Sequence, residues 1–455
     1  MTLPPLHELT FDLQDEYNRK AVAEKVIKLL TSDIKVSPMV IDGGWGTGKT
    51  YFCHKLKNLL QATHLNYKTV YVDAFKADHA DEPLMTLLAA ITSLLPEPEK
   101  VTLRQKALPA LRVTSKAIGK ASISWLLKQD AVDLAEDIEE EIKKVGDDII
   151  DHSIESLLKD HEKADQNIQA LKQVLSALTA ENPIVVFIDE LDRCRPDFAV
   201  SMLENIKHIF DVEGVHFVLV TNLDQLKASI NHQYGQSVNS QRYLDKFISF
   251  SYKLPNDMVL PYRKLTSINT QHFINLIKEH DILKNTVVNH EYINKFLNSL
   301  ISNHSISLRE FEKLIKYLYI YEKLSDINKS NLDPRLLSGY ALLKVFGVYL
   351  FCFKQDVIAN INKNNIDTEE ICKTLGVSIK YIESITKNSN DSNIPNTIAA
   401  LILIEKEYLS GNKNPRLNEE WYKYIERLFD YRPSPYLGER LEIIKEVYNT
   451  LSLYS

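Results

Sequence analysis

The sequence predicts an α/β fold: a five-stranded parallel sheet with helices on both faces, a helical insertion between strands two and three, and a helical C-terminal region. Three observations carry it. Short apolar runs alternate with helical patterns through the first half. The run Ile184–Asp189 is apolar until it ends in acids, as a strand buried on both faces reads. After Pro255 the composition turns to Asn, Lys, Ile, Tyr and Leu without further strand alternation.

The elements follow in order. Ala21, Val22, Val26, Ile27, Leu29 and Leu30 recur at helical spacing, so an amphipathic helix over Tyr17–Leu30 comes first. Strands are expected at Pro38–Asp42, Lys68–Ala74, Ile184–Asp189, Val215–Val220 and Phe247–Tyr252. Helices are expected at Thr50–Leu60, Pro83–Leu95, Asp197–Phe210 and Leu223–His232, and strands so separated run parallel. The insertion at 97–182 is far longer than a usual crossover and should carry structure of its own. Its stretch Asp130–Asp165 is acidic and helix-prone, and reads as a solvated helical hairpin face, with a dedicated partner-binding arm as the alternative. The polar stretch Ser384–Asn396 reads as a surface loop. The expected division is a core over 1–255, a lid-like helical domain over 256–385 and a helical subdomain over 386–455; no internal repeat is evident.

Composition bounds function only loosely. With 455 residues, of which 44% are apolar, the chain has material for about three domains. Lys and Arg number 54 against 61 Asp and Glu, a net charge of −7 that argues against a mainly nucleic-acid-coating protein. Basic segments such as Lys100–Lys120 are modest, so a nucleic-acid path is not indicated. Cys53, Cys194, Cys352 and Cys372 lack the spacing of a zinc site or disulfide scaffold, which fits a reducing, cytoplasmic setting. Met1–Leu13 does not read as an export leader. The apolar run Tyr340–Phe353, broken by Lys344, falls short of the roughly 20 residues a membrane span needs and reads as a buried helix.

The strongest chemical signal is Gly43–Thr50, GGWGTGKT, which satisfies G-x-x-x-x-G-K-[ST] between a strand and a helix. Four of the chain's 13 glycines fall here, where backbone must approach phosphate oxygens with no Cβ between. Backbone amides of Gly43, Gly44, Trp45, Gly46, Thr47 and Gly48, with those of Lys49, Thr50 and Tyr51 opening the helix, form a nest for a polyanion. Lys49 supplies the cation for the β and γ phosphates, and the Thr50 hydroxyl is a hard oxygen ligand for Mg²⁺. Trp45 is not demanded by phosphate chemistry.

Asp189 stands at the C-terminal end of a buried strand, where ligands sit in parallel sheets, and should hold Mg²⁺. Glu190 follows it and could polarise the attacking water as a general base. A whole strand and its helix separate the phosphate loop from this acidic strand along the chain, the order found in ATPases with a catalytic glutamate. That order puts the fourth strand beside the loop strand, with Thr221 or Asn222 facing the γ-phosphate. Asn222 is the preferred sensor, although it also reads as a helix cap. Arg193, Arg195, Arg242 and Arg309 are arginines able to stabilise transferred charge, and spacing does not choose among them. His208, His216 and His304 lack ligand spacing, and Cys194 reads as an ordinary buried thiol.

Together these motifs resemble the KAP family of P-loop NTPases. The loop matches that family's tryptophan-containing version, and Val72-Asp-Ala-Phe75 is similar to its strand-two motif, with Phe75 where tryptophan is common. Asp189-Glu-Leu-Asp-Arg-Cys194, then Pro196 and Leu203-Glu-Asn-Ile-Lys207, resembles its extended acidic motif. Tyr243-Leu-Asp-Lys246 with Pro255, and Ser307-Leu-Arg309, are also family-like, and the likeness spans roughly Leu13–Ile320. Relatives often have Asp at the position of Glu190, and many carry membrane-spanning helices in the insertion, which this chain lacks. The resemblance implies ATP as nucleotide, Mg²⁺ as cofactor and a phosphate contact from Arg309. The leading reading is a Mg²⁺-dependent ATPase acting as a nucleotide-driven conformational switch, as a homo-oligomer and with a partner effector protein; the resemblance further implies a tie to phage or plasmid exclusion, frequent in bacterial relatives. A nucleotide-sensing scaffold with negligible turnover and a DNA-stimulated motor are the alternative readings.

Overall fold

A computed structural model describes residues 5–12, 15, 18–80, 82–114, 154–255, 257–260, 264–304, 306–325, 330–384, 393–412, 419–431 and 435–453. The chain divides into two compact units, Met1–Pro255 and Asn256–Ser455.

The first unit is built on β1 (Met39–Asp42), β2 (Lys68–Asp73), β3 (Ile184–Asp189), β4 (Val215–Thr221) and β5 (Phe250–Lys253). All pairings are parallel, in the order β2-β3-β4-β1-β5. The fourth strand therefore lies beside the loop strand and separates it from the acidic strand, as the element order predicts. Strand alternation sends Met39, Ile41, Phe187 and Val220 to one face, against Ile27 and Leu30 of the helix Lys20–Leu30 and Phe52 and Leu56 of the helix Lys49–Thr63. Val40, Val186, Ile188 and Leu219 point to the other, against the helices Pro83–Ser93, Pro196–His208 and Leu223–Tyr234. Helices thus cover both faces, and every residue of β3 is buried.

The insertion opens with the helix Glu97–Thr114 and closes with Ile154–Thr179; these pack on each other and deliver Leu103, Leu171 and Leu175 to the sheet's core. Most of the acidic stretch Asp130–Asp165 lies outside the described residues, as does the end of Lys100–Lys120. The fifth strand starts at Phe250 rather than Phe247. Asn239 caps a short helix, Ser240–Leu244, and the Phe247 and Ile248 amides donate back to Leu244, which holds the expected strand start in a helical turn.

The second unit shares one apolar core from Phe273 to Val447, on both sides of position 385. Its central helix, Ser338–Phe353, is buried nearly throughout, including Lys344, whose ammonium donates to the Tyr321 hydroxyl at 3.1 Å and sits over that ring. Among the described residues, no helix is long and apolar enough to cross a membrane.

Two expectations need correction in this unit. An antiparallel hairpin, β6 (Asp257–Leu260) with β7 (Lys264–Ser267), stands where only helix was read, because four-residue strands are too short to show a period. The polar stretch Ser384–Asn396 is helical at both ends. Ser384 closes Ile379–Ser384, and the Asn393 side chain caps a helix beginning at Ile394 with Pro395 in its first turn; the loop's middle, 385–392, lies outside the described residues.

Phe187 is fully buried at the centre of the sheet. Phe187→Ala should destabilise the first unit by about 3–5 kcal/mol, read as a lower midpoint in urea unfolding followed by circular dichroism.

Candidate nucleotide site

The strand register brings the C-terminal ends of four strands together: Asp73 pairs with Asp189 across β2 and β3, and Asp42 pairs with Thr221 across β1 and β4. The phosphate loop leaves β1 at this edge, and the Gly43 amide donates to Thr221 O. Gly46 and Gly48 take φ values of 72° and 79°, which glycine adopts without a Cβ penalty. A Cβ at Gly43 would stand 2.8 Å from Thr47 Oγ1, so the loop's curl itself requires glycine there. Gly48 ends the loop, and Lys49 opens a helix of 15 residues whose positive end faces the concavity.

Lys49 is buried, and its Nζ donates to the carbonyls of Gly43 at 2.6 Å and Gly44 at 2.9 Å. Burial lowers the ammonium's pKa, opposed by the charges of Asp192, Asp189 and Asp42. The cation is thus folded back on its own loop. The next residue, Thr50, is hydrogen-bonded through its side chain to Asp189.

Asp189 is 1% exposed. Its Oδ2 accepts from the Tyr71 hydroxyl at 3.0 Å and its Oδ1 from the Glu190 amide at 2.8 Å. Burial raises the carboxyl's pKa above the ordinary value, against the pull of Thr50, Tyr71, the Glu190 amide and Lys49. Tyr71 is itself clamped by His54, ring centroids 4.3 Å apart, and its phenol is pushed up by burial and by Asp189.

Glu190 leaves the strand in the left-handed region, φ 61° and ψ 24°, a conformation costing about 1–3 kcal/mol for a residue with a side chain. Strain of this kind concentrates at working sites, and here it turns the carboxylate out of the strand's line. The Glu190 carboxylate is paired with Arg193 at 2.9 Å. Arg195 is committed elsewhere: its Nε donates to Asp78 Oδ1, and its backbone amide to Asp78 Oδ2, both at 3.1 Å. Asn222 accepts the Asp224 and Gln225 amides as the cap of Leu223–Tyr234. The neighbouring Thr221 is fully buried. Arg309 opens the helix Leu308–Lys323 of the second unit, behind a capping box of Ser307 and Glu310.

Three residues of this site escape a reading of the sequence. Asp192 is buried and joins two parts of the edge: its Oδ2 accepts from Trp45 Nε1 at 2.6 Å and its Oδ1 from Thr221 Oγ1 at 3.0 Å. Trp45, 51% exposed, is thereby tied to the acidic segment, which gives this tryptophan a structural reason that phosphate chemistry does not. Tyr71 orients Asp189, and its only sequence signal is a phenol in a Val-rich strand. Arg19, buried, donates to Thr47 O at 3.0 Å and Pro255 O at 3.1 Å. No local pattern announces it.

A glycine nest on a helix N-terminus, with lysine and threonine opposed by a buried carboxylate one strand removed, defines a P-loop nucleotide-binding protein. The chain belongs to the KAP family: the model of the KAP family P-loop domain matches residues 19–325, more than half its length. No curated protein matches in sequence. Among solved structures the chain aligns with a DNA replication initiation factor at 15% identity over 98% of each chain, TM-score 0.32. It aligns with the ORC2 protein of Aeropyrum pernix in its ADPNP–ADP complexes at 15% over 96% of this chain and 94% of that one, TM-score 0.34. AMPPCP-bound DnaA from Aquifex aeolicus aligns at 13% over 100% of both chains, TM-score 0.35. Scores of this size assign no activity or partner.

Trp45 should report on the loop. Titration with ATP is expected to change tryptophan emission in the wild type and to leave Trp45→Phe, whose remaining indoles are Trp125 and Trp421, silent. An equal response in both would separate Trp45 from the nucleotide.

Proposed function

We propose that the chain is a Mg²⁺-dependent ATPase that works as a nucleotide-driven conformational switch within a multiprotein assembly. The observation that supports it most is the convergence of Lys49, Thr50, Asp189 and Glu190 at one sheet edge. Lys49 exchanges the Gly43 and Gly44 carbonyls for phosphate oxygens, a substitution that answers its buried charge with an anion. Thr50 and Asp189, already in hydrogen-bond contact, are two hard oxygen donors fit for Mg²⁺. When bound there, the ion neutralises phosphate charge and orients the polyphosphate.

Glu190 accepts a proton from the attacking water, and the loop amides with Lys49 stabilise charge on the transferring group. Asn222 holds its carbonyl oxygen on the helix cap, which leaves its amide NH₂ as the group that can donate to water or phosphate. For Arg309, on the helix Leu308–Lys323, family resemblance implies a phosphate contact. The same kinship supports defence against phages as the setting of the switch.

A second reading, an assembly scaffold with negligible turnover, draws on the Glu190–Arg193 pair, since a carboxylate engaged by a guanidinium is not directed at a water.

Lys49→Ala should abolish ATP binding in calorimetry and remove protection in a plaque assay. Glu190→Gln should keep binding while turnover falls by about 10²–10⁴-fold; equal turnover would take Glu190 out of the chemistry. Light scattering with ATP, ADP or no nucleotide separates switch from scaffold. A scaffold changes mass on binding and does so identically in Glu190→Gln, whereas a hydrolytic switch keeps its ATP-state mass only in that variant.

A further inference from the structure

The turn that follows the acidic strand carries an arginine as well as acids. Leu191–Arg193 is closed tightly, the Arg193 amide donating to Glu190 O at 3.0 Å and the Cys194 amide to Leu191 O at 3.3 Å. Leu191 and Cys194 are sunk in the sheet's core. Asp192, between them, is bound to Trp45 of the phosphate loop and to Thr221 of β4. Arg193 therefore projects from a fixed turn, one residue away from a contact with the loop.

Four arginines are able to stabilise transferred charge, and the fold separates them. Arg195 spends its guanidinium on Asp78, with Nε on Oδ1 and Nη2 on the backbone oxygen, each at 3.1 Å. Arg242 is exposed on the helix Ser240–Leu244, and Arg309 lies in the second unit. Arg193 is partly buried at the site itself, where its charge bears on the Lys49 ammonium and its Nη2 meets Glu190 Oε1 at 2.9 Å.

The neighbouring carboxylates already have fixed donors. Asp42 accepts the Leu223 amide at 2.9 Å, and Asp73 accepts the Lys76 amide at 3.0 Å and is paired with its ammonium at 3.1 Å. Asp189 has Tyr71 and the Glu190 amide, and Asp192 has Trp45 and Thr221. The Glu190–Arg193 pair differs from these: it joins two side chains that are 17% and 28% exposed, so it opens by side-chain rotation while the turn stays in place. Two cations, Lys49 and Arg193, thus stand beside one loop with carbonyls and a carboxylate as their present partners. A terminal phosphate suits both better, since it carries more charge than a carboxylate and presents oxygens that a planar guanidinium meets two at a time. A diphosphate is one group shorter and lacks that oxygen set.

We propose that Arg193 is the arginine that contacts the γ-phosphate of bound ATP, and that by leaving Glu190 for the phosphate it frees the Glu190 carboxylate for the attacking water. This assignment rests on the nucleotide reading and deepens it, because the ion pair becomes the element that tells triphosphate from diphosphate. In the step it serves, the water oxygen bonds to the γ phosphorus, and the bond from that phosphorus to the β–γ bridging oxygen breaks with its electron pair staying on ADP. Glu190 takes the water's proton and passes it to solvent. Once phosphate departs, Arg193 returns to Glu190.

The test is calorimetry of the full chain with Mg²⁺ and either ADP or AMPPNP, which keeps a γ-phosphate without being turned over, together with a phosphate-release assay on ATP. Arg193→Ala should weaken AMPPNP at least about tenfold while ADP changes by less than about threefold, and turnover should fall about 10²-fold or more. Arg193→Lys, which keeps the charge but loses the fork, should show the same selective loss in smaller measure, and carries the test if circular dichroism finds the alanine variant unfolded. Glu190→Gln removes the charge that holds Arg193, so it should tighten AMPPNP by about threefold, and not at all when combined with Arg193→Ala. Equal losses for AMPPNP and ADP in the Arg193 variants, or turnover at or above the wild-type rate, overturn this assignment alone. Absence of heat with either nucleotide in the wild type overturns the nucleotide reading, and this assignment with it.

Discussion

The nucleotide edge depends on keeping one carboxylate ionisable inside the protein. Asp189 lies at the end of a strand buried on both sides, where an unanswered charge would cost several kcal/mol. It is answered from three elements: Tyr71 from the neighbouring strand, Thr50 from the helix after the loop, and the amide of Glu190 from its own turn. Each partner is in turn fixed, Tyr71 by His54 and the helix of Thr50 by packing of Phe52 and Leu56 on the sheet. The site's chemistry and the core's packing are therefore one problem, since any shift of β2 or the loop helix moves a donor away from Asp189.

The strain at Glu190 belongs to the same construction. Turning the chain into the left-handed region immediately after Asp189 leads the backbone into the turn Leu191–Arg193 and brings the Glu190 side chain to Arg193. Two residues later, Asp192 links Trp45 of the phosphate loop to Thr221 of β4. The loop, the acidic turn and the end of β4 are thus mechanically joined through carboxylates. The glycine loop is thereby linked to the end of β4, which Asn222 follows as the cap of the next helix, and Arg19 ties the loop to Pro255.

The second unit uses polar groups differently. Its core is broad and apolar, and polar contacts are spent on terminating helices sharply, as Asn303 and His304 do for the helix ending at Leu375. Sharp ends fix where short helices stop, which six- and eight-residue helices could not hold by propensity alone.

The amino-acid sequence by itself located the five strands of the first unit's sheet, the glycine loop and the acidic strand end, because each is local. Burial on both faces demands an unbroken apolar run, and phosphate approach demands glycine at fixed spacing. It also fixed the neighbour of β1, since the element order implies that β4 lies there. Four-residue strands such as β6 and β7 carry no period and stayed hidden, as did the true start of β5 behind a capped helical turn. Only the tertiary structure decided which side chains converge on the site. Tyr71 and Asp189 are 118 positions apart, and Trp45 and Asp192 are 147, so their meeting depends on strand order and register rather than on any pattern along the chain.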